Sequence, residues 1–195
     1  MLTVCQRSFR FWPNMRVEDL LERFAWAPTA GKRPAGGLMH LHRDVVVPRS
    51  LEETFAFFAN AANLERLTPP FLNFRIKTPI PIAMHQGTEI EYRIMLYGVP
   101  IPWRTRIDVW EPGVRFVDRQ LLGPYRWWRH EHRFAAIEGG TRVTDRVEFL
   151  PRMRWLSGWM VQRDVVRIFS YREEELQRLF RGFHVPLDQS GVPLI

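Results

Sequence analysis

The chain has a single cysteine, Cys5, two lysines, Lys32 and Lys77, and no uninterrupted apolar run near the roughly 18 residues that a membrane-spanning helix needs. One cysteine excludes an internal disulfide and a cysteine metal cluster, so a reducing compartment is the default. The first residues lack a continuous apolar h-region, because Gln6, Arg7 and Arg10 interrupt it, and no small-residue cleavage site follows. A cytoplasmic protein without a transmembrane segment is the expectation. There is also no Gly-x-Gly-x-x-Gly fingerprint, which argues against a dinucleotide-binding unit. The net charge is +7 over 195 residues, carried almost wholly by arginine. These arginines are scattered and often stand beside acids, as in Arg163-Asp164 and Arg172-Glu173, rather than forming the clustered face of a nucleic-acid binder. No specific nucleic-acid partner is expected. A basic protein that docks on nucleic acid or a membrane surface remains an alternative that rests on charge alone.

The most informative stretch is Trp127 to Phe134. Strand alternation puts Trp128, His130, His132 and Phe134 on one side and Trp127, Arg129, Glu131 and Arg133 on the other. The flanking strands repeat the mixture, with Phe116, Asp118, Gln120 and Leu122 before it and Val143, Asp145, Val147 and Phe149 after it. A sheet that points His, Asp and Gln inward among large apolar groups needs partners or water for each of them. That pattern predicts a lined cavity. The opposite face, with Arg104, Arg106, Arg129 and Arg133, reads as solvated.

Residues 1–38 read as a flexible N-terminal extension, with a short amphipathic helix at Val17 to Trp26 and a Pro/Gly linker from Pro28 to Gly37. One domain spans 39–183, followed by a tail at 184–195. Met39 to Val47 is a strand stopped by Pro48. Ser50 and Glu53 form a capping box for a helix over Leu51 to Phe58, and a second short helix is expected over Ala61 to Leu67, before Pro69-Pro70. Strands are predicted at Phe74 to Lys77, Thr88 to Leu96, Ile101 to Glu111, Arg115 to Leu122, Arg126 to Ile137 and Thr141 to Leu150, joined by short Gly/Pro turns as a meander. A helix from Leu156 to Phe180 carries an apolar stripe of Trp159, Val165, Ile168, Phe169, Leu176 and Leu179.

Strand, two short helices, antiparallel meander and long C-terminal helix is the order of the helix-grip fold, an α+β class. Val45-Val46-Val47-Pro48 before Glu52-Glu53-Thr54-Phe55-Ala56-Phe57-Phe58, then Asn63-Leu64, Thr68-Pro69-Pro70, Trp110-Glu111-Pro112, Phe116-Val117-Asp118, Gly123-Pro124-Tyr125, the Trp128-x-His130-x-His132-x-Phe134 strand and Gly140-Thr141 with Asp145 resemble the START-like, Bet v 1-like (SRPBCC) superfamily. Within it, the polyketide cyclase/dehydrase-type ligand-binding proteins are the nearest in pattern. The resemblance covers about Met39 to Phe180. It implies a pocket for a hydrophobic small molecule between sheet and long helix, without naming the ligand.

The expected ligand-binding residues are Tyr92, Trp103, Thr105, Asp118, Gln120, Trp128, His130, His132, Phe134, Asp145 and Phe169. The rings supply apolar walls, and the polar members orient the ligand's polar end. Binding or carriage of a hydrophobic or amphipathic molecule is the favoured reading. The runner-up is a cyclase- or dehydratase-type lyase or isomerase, without a covalent intermediate, using His130, His132 and Asp118 as acid and base. His130 and His132 are spaced about 6 to 7 Å apart at Cα on one strand face and suit a shared metal if a carboxylate joins them. Nothing in the sequence fixes Asp118 or Asp145 near the pair, so no metal and no cofactor is assigned.

Overall fold

The computed structural model describes residues 32–152 and 158–181. Cys5, the helix expected at Val17 to Trp26, most of the N-terminal extension, residues 153–157 and the C-terminal tail lie outside the described residues. Seven strands form one antiparallel sheet: β1 (Met39–Val47), β2 (Arg75–Ile76), β3 (Glu89–Leu96), β4 (Val99–Glu111), β5 (Arg115–Leu122), β6 (Tyr125–Ile137) and β7 (Gly140–Pro151). Their order is β1-β7-β6-β5-β4-β3-β2, so β2 to β7 run as a meander and β1 closes on β7. Two helices, α1 (Leu51–Ala59) and α2 (Gly158–Arg181), complete the helix-grip architecture.

Local chemistry sets these boundaries. Ser50 Oγ accepts from the Glu53 N–H and the Glu53 carboxylate accepts from the Ser50 N–H, the reciprocal cap that starts α1. The second short helix is not α-helical. Two 3₁₀ turns, Ala61–Leu64 and Pro70–Leu72, stand in its place, the first capped by Asn60 Oδ1 on the Ala62 N–H. The strand expected at Phe74 to Lys77 shrinks to Arg75 and Ile76. Between β3 and β4 the loop is the two residues Tyr97 and Gly98, both at positive φ (51° and 81°), the backbone that a tight hairpin demands. Gly140 meets β1 so closely that a Cβ there would run into the Val47 carbonyl oxygen.

Helix α2 lies along the inner face of the sheet. Val165, Phe169, Leu176 and Phe180 are buried, whereas Trp159, expected in the same stripe, is 64% exposed. Arg172 takes a place in that stripe and is buried. The core divides into two apolar clusters. One gathers Phe74, Trp103, Tyr125, Phe149, Val165 and Phe169; the other gathers Phe55, Phe58, Phe116, Phe134, Leu176 and Phe180. The end of the expected linker lies against the sheet, since Arg33 donates twice to Glu148 at 3.0 and 3.1 Å. Neither described helix is long and apolar enough to cross a membrane.

Candidate functional site

Register brings the inward polar residues together. Asp118 on β5 pairs with His130 on β6, and His132 pairs with Asp145 on β7, so two carboxylates flank the two imidazoles from neighbouring strands. The rings lie 3.7 Å apart at their centroids. Asp145 Oδ1 sits 2.8 Å from both His130 Nε2 and His132 Nδ1. On the other side, Asp118 Oδ2 is 3.3 Å from His132 Nε2 and 3.6 Å from His130 Nδ1. Helix α2 adds Arg172, whose guanidinium stands 3.5 Å from Asp145 Oδ2 and 3.4 Å from His132 Nδ1.

This layer is sandwiched between rings of the two clusters. Phe116 stacks on His132 at 4.2 Å, Phe169 meets His130 edge-on at 5.2 Å, and Phe58 lies under the Arg172 guanidinium at 5.2 Å. In so dry a setting charges interact strongly and unpaired ones are costly. Burial would raise the Asp145 carboxyl, but Arg172 and His130 outweigh it and hold that carboxyl well below its usual range. Asp118 is lowered in the same way, with the His132 hydrogen bond outweighing burial. His130 is pushed down by burial and by its neighbour His132. His132 goes up, because its bonds to Asp118 and Asp145 overcome burial. The Arg172 guanidinium and the two imidazoles thus face two carboxylates in one layer.

The other expected site residues divide between the clusters and the turns. Thr105 Oγ1 lies 3.3 Å from Asp118 Oδ1 and 3.1 Å from the Arg119 carbonyl, joining the polar layer. Tyr92, Trp103 and Trp128 form an aromatic group with Phe74 and Tyr125: Tyr92 stacks on Trp103 at 5.7 Å, and Trp103 meets Trp128 edge-on at 5.4 Å. The Trp103 indole N–H is buried with no hydrogen-bond partner. Burial pushes the Tyr92 hydroxyl well above its ordinary value, with the Asp118 charge adding to it. Phe134 belongs to the opposite cluster, against Phe55 and Phe58.

Gln120, expected to orient a ligand, clamps a turn. Its Nε2 donates to the Tyr125 carbonyl at 2.7 Å and its Oε1 accepts from the Tyr125 N–H, across the bend at Gly123-Pro124. A Cβ at Gly123 would press on that amide, so the bend and the clamp fit one another. The inward polar residues satisfy one another across strands, and a groove of about 370 Å³ lies elsewhere, bordered by Glu65, Arg75, Phe74, Tyr171 and Arg178 among others. None of the expected ligand-binding residues borders it. Its wall at Phe74 backs onto Tyr92 and the aromatic group.

Two features lay outside the sequence reading. Arg172 was legible as an arginine inside the apolar spacing Val165, Phe169, Leu176 and Phe180. The outer sheet face is less solvated than alternation suggests: Trp127 is 5% and Glu131 6% exposed. The expected outward arginines are engaged there, Arg104 with Glu91, Arg106 with Asp108, and Arg129 and Arg133 with Glu131.

The fold is Bet v 1-like. Among solved structures the chain is similar to the Zhui aromatase/cyclase from Streptomyces sp. R1128, with 17% identity and a TM-score of 0.60 over 74% of this chain and 94% of that one. It is similar to Ara h 8.0201, with 14% identity and a TM-score of 0.56 over 75% and 100%. A nucleoside-diphosphate sugar epimerase from Corynebacterium glutamicum matches with 26% identity and a TM-score of 0.50 over 71% of this chain but 28% of that one. No curated protein matches the sequence. The chain belongs to the family described as a domain of unknown function, DUF8410, whose model matches residues 82–180.

Proposed function

We propose that this domain binds a hydrophobic or amphipathic small molecule between the sheet and α2. The observation that carries the reading is the buried Trp103 indole N–H, left without a partner amid the rings of Phe74, Tyr92, Tyr125 and Trp128. An unmet buried donor costs about 1 to 3 kcal/mol, which an acceptor on a ligand or an ordered water would recover. The aromatic group supplies flat apolar area beside it, the combination that ligand sites use. The fold supports the reading, since a solved structure of similar fold is that of an aromatase/cyclase.

The test uses 1-anilinonaphthalene-8-sulfonate as an amphipathic aromatic probe, titrated into the full chain. Saturable binding of one probe per chain is expected. Trp103→Phe should weaken it about threefold to tenfold, the worth of one hydrogen bond. Trp159→Ala, on an exposed ring, should leave it unchanged. Absence of saturable binding, or an unchanged affinity in Trp103→Phe, overturns the reading.

A second reading is a lyase or isomerase of the cyclase or dehydratase type. It is favoured by His132 being held between Asp118 and Asp145, an arrangement that orients an imidazole for proton transfer. Here His132→Gln would spare probe binding and abolish turnover.

A further inference from the structure

Each of the four imidazole nitrogens faces a carboxylate oxygen of Asp118 or Asp145. His130 Nε2 donates its N–H to Asp145 Oδ1 at 2.8 Å, and His132 Nδ1 stands 2.8 Å from the same oxygen with the Arg172 guanidinium 3.4 Å away. A neutral imidazole protonated on that side carries its lone pair on the other. His130 Nδ1 therefore turns its lone pair toward Asp118 Oδ2 at 3.6 Å, and His132 Nε2 stands 3.3 Å from the same oxygen. A single cation held among these three atoms would be met by all of them. A proton on His132 Nε2 answers the 3.3 Å contact and leaves the 3.6 Å contact, beyond hydrogen-bond length, unanswered.

We infer that Asp118, His130 and His132 form a binding site for one divalent first-row transition metal of the zinc class, with Asp145 and Arg172 as its supporting shell. One donor atom from each of the three residues lies within 4.8 Å of the other two. Ligands about 2.0 Å from a tetrahedral ion stand about 3.3 Å from each other, close to the two donor separations found here. Two imidazoles and one carboxylate suit this class of ion, and three protein ligands leave a coordination position for water or a ligand.

The far side of the imidazoles carries what such a site requires. Ligating histidines donate their other N–H to a carboxylate that fixes tautomer and ring orientation, and His130 Nε2 makes that bond to Asp145 Oδ1, which also stands 2.8 Å from His132 Nδ1. Arg172 holds Asp145 in turn and stands on that side, opposite Asp118. The ion, the guanidinium and the two carboxylates together keep one net positive charge, which matches an anionic fourth ligand such as hydroxide. Phe58, Phe116 and Phe169 wall the layer against bulk water. The inference does not rest on the small-molecule reading, since the metal is measured without any organic ligand.

Purified full-length protein, stripped with a chelator and dialysed against zinc alone, should retain one zinc per chain by elemental mass spectrometry. Cobalt(II) in its place should give the visible ligand-field bands of a four-coordinate ion. Asp118→Asn and His132→Gln should abolish retention, and Asp145→Asn should weaken affinity about tenfold to a hundredfold. His42→Gln, in the exposed pair with Asp44, should retain the full equivalent. Circular dichroism monitors the fold of each variant. The proposal falls if the wild-type chain keeps no stoichiometric zinc or cobalt, the result expected of a proton-only layer, and that outcome does not depend on any variant folding. It falls equally if retention survives Asp118→Asn and is lost in His42→Gln.

Discussion

On the outer face of β6, Glu131 is buried beneath three arginines, with Arg133 at 2.5 Å, Arg129 at 3.3 Å and Arg115 at 3.4 Å. On the inner face of the same strand, His130 and His132 are buried between Asp118 and Asp145, with Arg172 as the one arginine in contact among the described residues. The outer arrangement is redundant. Its arginines reach Glu131 from β5 and β6, keep part of each side chain in water, and can lose one member without stranding the acid. The inner arrangement has no second arginine among the described residues, and its side chains are far less exposed to water. Redundancy marks a face built for cohesion, whereas a layer in which two buried carboxylates share two imidazoles and one arginine is one whose charge state can be changed by what binds there.

The largest effect should come from Arg172→Met. It keeps most of the apolar stem over Phe58 and removes the guanidinium from Asp145, leaving a carboxylate buried with less positive charge than its surroundings require. Breaking a buried pair in this way costs about 3 to 5 kcal/mol. Thermal unfolding at neutral pH measures it. A loss below about 1 kcal/mol would mean that the inner layer has slack like the outer one, and the contrast between the faces would collapse.

Why the inner layer was only half legible follows from which forces set it. Alternation along β5, β6 and β7 is local, so the inward direction of Asp118, His130, His132 and Asp145 can be read from the chain alone. Their mutual distances depend on register, which pairs Asp118 with His130 and His132 with Asp145 and is fixed by turns and packing. For Gln120 parity gave the direction, and the bend at Gly123-Pro124 gave the role. The helix-grip order was legible because each hairpin carries its own turn chemistry, as at Tyr97-Gly98. The second short helix became the 3₁₀ turn Ala61–Leu64, started where Asn60 turns its side chain to the Ala62 N–H, and a separate 3₁₀ turn begins at Pro70. Arg172 was missed because a charged residue inside a helical stripe reads as an interruption until the acid opposite it is known.

Glu131→Gln tests the outer face at its centre and should cost less, about 1 to 2 kcal/mol, because the arginines it releases can turn to water. Burial alone would raise the Glu131 carboxyl, but its bond to Arg133 and the charges of Arg133 and Arg129 hold it below its ordinary value. A carboxyl lowered in the folded state stabilises above its unfolded pKa, near about 4.3, and loses that contribution as pH falls through the folded value. The difference in stability between wild type and Glu131→Gln should therefore be full at pH 7 and close below about pH 4. A gap that stays constant down to acid pH would show that shape, and not charge, holds this position.

The smallest effect belongs to Arg133→Ala. Arg133 lies 45% exposed, and its removal leaves Glu131 with Arg115 and Arg129, both within 3.4 Å. Solvent screens what is lost, so the change should stay within about 0.5 kcal/mol and shrink further at about 1 M salt, where the Debye length is about 3 Å. Chemical denaturation with urea, which adds no charge, is the suitable measurement at both ionic strengths. If Arg133→Ala instead costs as much as Glu131→Gln, the three arginines are not interchangeable. The outer face would then share with the inner one a dependence on individual partners, and the asymmetry between the two sides of β6 would lie in solvent access alone.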